Sequence, residues 1–368
     1  MTSPLVTRLL SGIEGCYDKE ERYSLLAELA CYRARIGEFE EAEDLRIELR
    51  REFGDGRSIR VSILIMCAES LLHYFRELSE EARDRMARAN LLSNAARDDR
   101  LIALTSSWLA HIDFNLNRFE AMEGDVRACF QSIHADDGTA ECRVSIVLGD
   151  AFLFVGNTVV SQAWYERARR AATRIGDQAA VGAITYNRAA LRVAASRLAC
   201  VTAPVDEDMV RLVHLEVQSA INYQAVAQLK SLEHLLQTAK IGVLILQEKF
   251  AEAETECSEL LSGTNVPKGS SQWLLLQADL SLALAQIGRL DEAKRRFRPI
   301  GETEVLSRSA DDRALIFSSI ARAAQLCGEV GLAERCAALS VEAVREHEER
   351  IKEVRRRVQS FEQGPPTQ

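Results

Sequence analysis

The 368-residue sequence predicts an all-α fold: a solenoid of about eight antiparallel helix pairs followed by a long C-terminal helix. Three observations carry this expectation. Hydrophobic residues make up 47% of the chain but aromatics only 6%, and Ala, Leu, Arg and Glu dominate, which suits closely packed helices and disfavours a large sheet. A turn signature recurs along most of the chain, and acidic residues suited to helix N-capping keep the same beat. With only 6 Pro and 19 Gly, and no linker-like stretch before the last five residues, one continuous architecture over 1–343 is expected.

Each turn signature closes one helix with a small or polar residue and opens the next with an aromatic residue or Leu, then Ala two or three places on. The instances run Gly37-Glu-Phe39-Glu-Glu-Ala42, Asn117-Arg-Phe119, Glu248-Lys-Phe250-Ala-Glu-Ala253, Gly288-Arg-Leu290-Asp-Glu-Ala293 and Gly328-Glu-Val330-Gly-Leu-Ala333, with weaker copies at Glu77-Leu-Ser79-Glu-Glu-Ala82 and Gly156-Asn-Thr158. Their first residues, 37, 77, 117, 156, 248, 288 and 328, are separated by 40, 40, 39, 92, 40 and 40 positions, so the long gap holds one irregular unit. Caps for the following helices are expected at Asp98/Asp99, Asp136/Asp137, Asp177 and Asp311/Asp312. In the irregular fifth unit a helix over about 179–198 meets the breaker Cys200-Val-Thr-Ala-Pro204, and Asp206 starts a helical run whose turn lies hidden near 226–231.

In the fourth unit Leu148-Gly149 and Phe152 on the first helix, with Tyr165 and Ala168 on the second, fall where a tetratricopeptide repeat carries Leu-Gly, an aromatic, an aromatic and Ala. Over roughly 20–345 the chain therefore resembles the tetratricopeptide class, with a longer period than its usual 34 residues and without Trp and Pro at several consensus places. Repeats of this length are similar to those of sensor and peptide-binding domains in bacterial signalling proteins: maltose-regulon activators, quorum-peptide receptors and the N-terminal segments of some diguanylate cyclases. The resemblance implies a right-handed superhelix whose first helices line a concave wall. Carried over unit by unit, it puts Tyr74, Phe75, Trp108, His111, Asn115, Asp150, Tyr186, Asn187, Asp279 and Arg322 on that wall. Aromatic rings and amides interleaved in this way suit a peptide or protein segment. The acidic balance, with only scattered Arg and no paired Lys on the wall, favours a basic or neutral ligand.

Beyond the last unit Val344, His347, Ile351, Val354, Val358 and Phe361 step by 3, 4, 3, 4 and 3, a heptad seam over 344–361. The seam either caps the eighth unit or pairs with a second chain as a homodimer. Capping is preferred, because a parallel dimer would set Arg350 against Arg355 and bury His347. Residues 362–368 read as a disordered tail, and the cyclase signature is absent.

A net charge of −9 argues against a general nucleic-acid binder, and no segment resembles a signal peptide or membrane span, so a cytoplasmic chain is expected. The nine scattered cysteines read as reduced, buried thiols. No phosphate loop, dinucleotide fingerprint, nucleophile elbow or His-Glu-x-x-His occurs, and His134 with Asp136/Asp137 reads as a helix cap rather than a metal corner. The expectation is a non-enzymatic adaptor or ligand-responsive regulator, with no cofactor and no metal. The alternatives are an assembly scaffold dimerising through the last helix and an enzyme whose site is assembled across repeats.

Overall fold

The computed structural model describes residues 3–54, 56–76, 79–263 and 266–364. Among them lie eighteen α-helices and no strand. In chain order these are α1 (Pro4–Gly15), α2 (Lys19–Ile36), α3 (Phe39–Phe53), α4 (Ile59–Arg76), α5 (Glu80–Ala96), α6 (Asp99–Asn115), α7 (Phe119–Ser132), α8 (Gly138–Phe154) and α9 (Thr158–Ile175). They continue with α10 (Gln178–Thr202), α11 (Glu207–Ala227), α12 (Glu233–Leu246), α13 (Phe250–Ser262), α14 (Ser271–Gln286), α15 (Leu290–Phe297), α16 (Glu302–Leu306), α17 (Ala310–Leu326) and α18 (Val330–Val358). A 3-10 turn at Gln359–Phe361 follows.

The recurring turn has one backbone solution. Gly37, Asn117, Gly156, Glu248, Gly288 and Gly328 all take positive φ, and the residue after each donates its N–H to a carbonyl five positions back, at 2.8–3.0 Å. This satisfies carbonyls that the helix end would otherwise leave without a donor. The copy expected at Glu77 and Leu78 lies outside the described residues, although Ser79 caps α5 through Ala82 N–H.

Three of the four expected acidic caps form. The carboxylates of Asp98, Asp137 and Asp177 accept from the N–H of Leu101, Ala140 and Ala180 at 3.1, 3.2 and 2.9 Å. The fourth differs, because the chain turns two residues earlier: Ser309 takes the cap place, and Asp311 and Asp312 lie in the first turn of α17, where negative charge still suits the helix N-terminus. The irregular fifth unit is α10 and α11. Asp206 starts α11 by accepting from Asp208 and Met209 N–H, and Gln228, at φ 55, begins the break after it. The second helix of the seventh unit is split into α15 and α16 around Pro299.

The helices gather into two compact units. The first comprises the described residues of 1–185, 223–232 and 354–368, and the second those of 186–222 and 233–353. This division cuts across the boundary expected at residue 344. The reason is that α18 is one continuous helix whose length runs through the second unit and ends in the first.

In the first unit, α2 to α9 pack each on its chain neighbour, and close approach depends on small groups. Ser70 and Ser161 hydroxyls donate to the Ala82 and Gly149 carbonyls of the paired helix, at 2.6 and 2.8 Å. A methyl at Gly149 would stand 2.6 Å from the Tyr165 ring. The segment after α11 docks on the end of α2: Lys230 and Ser231 N–H donate to Ile36 O, Ser231 Oγ donates to Arg35 O, and Leu229 packs with Tyr32 and Ala179. Phe361 lies against Phe130, and the Trp164 indole N–H donates to its carbonyl.

In the second unit the core is Ala- and Leu-rich and runs through α12, α13, α14, α15 and α17. Here Val344 packs with Ala314 and Leu315 of α17, and Ser340 donates to Ala314 O.

Candidate functional site

Helix α6 is buried along nearly all of its length, so side chains on every face meet neighbours. Trp108 and His111 stand one turn apart on it, a spacing that puts them on one face. The last turn of α4 brings Tyr74 and Phe75 to that face. Tyr74 Oη lies 2.9 Å from His111 Nε2, and edge-on ring contacts link Tyr74 to Phe75, Phe75 to Trp108 and Trp108 to His111, with centroids 4.9, 6.4 and 5.7 Å apart. Four of the residues expected on the wall therefore form one cluster.

Two arginines complete it. The guanidinium of Arg143, near the start of α8, sits 3.8 Å from the Trp108 ring centroid, a stacking distance. That of Arg35, in the last turn of α2, lies 5.7 Å from Trp108 and 5.6 Å from Tyr32. Arg35 is bound at both terminal nitrogens by Asp177, at 2.9 and 2.8 Å. Arg143, only 4% exposed, has no carboxylate in ion-pair range among the described residues.

The electrostatics follow from burial. Arg35 loses hydration, but Asp177 outweighs that loss and holds its pKa above the usual guanidinium value. Burial, then the nearby Arg35, pushes Arg143 down to about 10, so it stays cationic at neutral pH. Burial, then Arg143 and Arg35, drives His111 well below the ordinary imidazole value, so it is neutral. Its Nδ1 is buried without a hydrogen-bond partner. Two cations thus face one anion.

The other expected wall residues are placed differently. Asn115 is exposed at the end of α6 and donates to His111 O. Asp150 is buried and accepts the Tyr165 hydroxyl at 2.6 Å, so it joins α8 to α9 instead of facing solvent. In the second unit Tyr186 and Asn187 are half-buried on α10. Asp279 is buried too: Arg197 grips both its oxygens at 2.9 and 2.6 Å, and Ser319 donates to it at 2.8 Å. Arg322 is exposed and lines a recess of about 50 Å³ with Arg197, Cys200, Ser318 and Ser319. Asp150 and Asp279 depart from the expected wall for one reason: a carboxylate on a helix packed on both sides must find its hydrogen-bond donors within the fold.

Of the heptad seam, Val344 and His347 are buried within the second unit, and Ile351 is half-buried there. Val354, Val358 and Phe361 are fully enclosed in the first unit. Sequence reasoning missed Arg35, Arg143 and Asp177 as site residues. The available signal was Arg143 in the second turn of α8, followed by six residues that carry no charge.

The chain matches no family model and no curated protein. Among the described residues no helix is long and apolar enough to cross a membrane. The nine cysteines are free thiols, and burial pushes Cys67 and Cys142 up to about 12, which leaves these two protonated and unreactive.

Proposed function

We propose that the chain is a tetratricopeptide-like solenoid of eight antiparallel helix pairs that binds a peptide or protein segment, and acts as an adaptor or ligand-responsive regulator inside a bacterial cell. The observation that carries this reading is the convergence of Tyr74, Phe75, Trp108 and His111 from two successive first helices into one aromatic cluster, in which the buried Trp108 and His111 back the half-buried rings of Tyr74 and Phe75 that a segment can touch. The repeated positive-φ turn supports the repeat architecture, since one turn geometry at a fixed period generates stacked hairpins. Aromatic anchors beside polar groups are the composition of peptide-binding surfaces.

The scaffold alternative draws no support from the seam, because Val354, Val358 and Phe361 are already covered by the chain itself. A photo-crosslinking amino acid at Phe75 or Asn115, compared with one at Tyr17, tests the reading with peptides selected from a display library. Crosslinks at 75 and 115 but not at 17 are expected. Selected peptides that crosslink equally at all three positions, or a library that yields no binder, would overturn it.

A further inference from the structure

We propose that Arg143 and Arg35, on the face of Trp108, form a binding site for a small oxyanion, either phosphate or a carboxylate. The cluster contains two guanidiniums and one carboxylate, and all three side chains are more than nine-tenths buried. Elsewhere the chain neutralises such groups: Arg197, equally buried, has Asp279, and Arg35 has Asp177. Arg143 is the exception: no carboxylate among the described residues pairs with it directly, and Asp177, already bound by Arg35, acts on it only at longer range. A buried cation without a counter-ion is a costly arrangement, and it persists where something supplies the missing charge.

The geometry states what that something is. The Arg143 guanidinium carbon stands 3.8 Å from the Trp108 ring centroid, and a guanidinium carries its five N–H donors in its own plane. Donors arranged in that plane match the oxygens of a carboxylate or phosphate. His111 adds a buried polar atom without a hydrogen-bond partner, Nδ1, and its pairing with Tyr74 holds the ring in place. One monoanion would bring the two guanidiniums and Asp177 to neutrality. The high burial of Trp108, His111 and Arg143 limits the occupant to the size of a few heavy atoms, as a free ion or as the tip of a larger ligand.

This inference uses groups of the first unit alone and does not rest on the peptide-binding reading. Peptide crosslinking with no anion site, or an anion site with no peptide binding, separates the two.

The test is thermal unfolding of the full chain in sodium phosphate, sodium acetate and sodium chloride at equal ionic strength, with 31P line broadening of phosphate as a second measurement that needs no variant. A saturable rise in Tm with phosphate or acetate over chloride is expected. It should be lost, with at least a tenfold weaker midpoint, in Arg143→Met and kept in the exposed control Arg170→Met. Response to phosphate alone, to acetate alone or to both identifies the anion class. No rise over chloride with no 31P broadening overturns the proposal, as does an Arg143→Met response equal to that of the parent. If Arg143→Met does not fold, 31P broadening that is equally strong in the neutral variant Arg143→Gln also overturns it.

Discussion

Asp125 on α7 lies beside Asp113 of α6, whose carboxylate is gripped by Arg83. Burial, then the Asp113 charge, pushes Asp125 up to about 7. Its unfolded value is near 4, so between about pH 4 and 7 the folded chain holds a proton that the unfolded chain has released. Stability from this group is complete below the lower value and is lost as pH rises through 7. Asp125→Asn removes that slope: the unfolding free energy of the parent from urea titration should fall from pH 5 to pH 8 by about 1–2 kcal/mol more than that of the variant, after allowance for the solvent at a half-buried site. Equal slopes would show that neither burial nor Asp113 raises Asp125 in the folded chain. At this scale sequence reading was weakest. Asp113, Asp150 and Asp279 look alike in the sequence, and only their neighbours, an Arg, a Tyr and an Arg with a Ser, decide what each does.

The helix turns are where local sequence speaks most directly. Gly37, Gly156, Gly288 and Gly328 meet the left-handed conformation at no steric cost, whereas Glu248 adopts it at φ 57 against its own Cβ. Glu248→Gly should therefore stabilise the chain by about 0.5–1 kcal/mol, once the extra entropy of an unfolded glycine is set against the relieved strain. Urea unfolding checks this, and a destabilised variant would mean that the Glu248 side chain, at the recess beside Arg322, contributes more than the strain costs. The capping aspartates were legible for a similar reason, since a short acceptor placed before a helix bonds backbone N–H within three residues. The turn after α11 was located but not explained by the sequence. Its purpose, docking Leu229, Lys230 and Ser231 on the end of α2, depends on residues nearly two hundred positions away.

Across the whole molecule the two compact units are not consecutive stretches of chain. The first is completed by residues 223–232 and 354–364, which bring Leu229 to Tyr32 and Phe361 to Phe130 and Trp164. Truncation after Glu353 removes Val354, Val358 and Phe361 from fully buried places, and should cost about 4 kcal/mol or more and raise dye binding to exposed apolar surface. Differential scanning calorimetry of the truncated chain checks this, with an unchanged Tm as the contrary result. The heptad seam was visible because its apolar spacing is local. What it packs against was not, because a stripe that pairs with another chain and one that returns to its own have the same spacing.

The sequence by itself determined that the chain is helical, where the helices before the recurring turn stop, and that Asp98, Asp137 and Asp177 cap helices, because backbone hydrogen bonds at helix ends are settled within about five residues. It also indicated Tyr74, Phe75, Trp108 and His111, among ten residues of one expected wall. The tertiary structure alone decided that these rings meet Arg35 and Arg143, and that one of those arginines has a carboxylate while the other does not. Charge balance in a buried cluster is a sum over groups from separate helices, here α2, α4, α6, α8 and the cap of α10, and no local pattern records that sum.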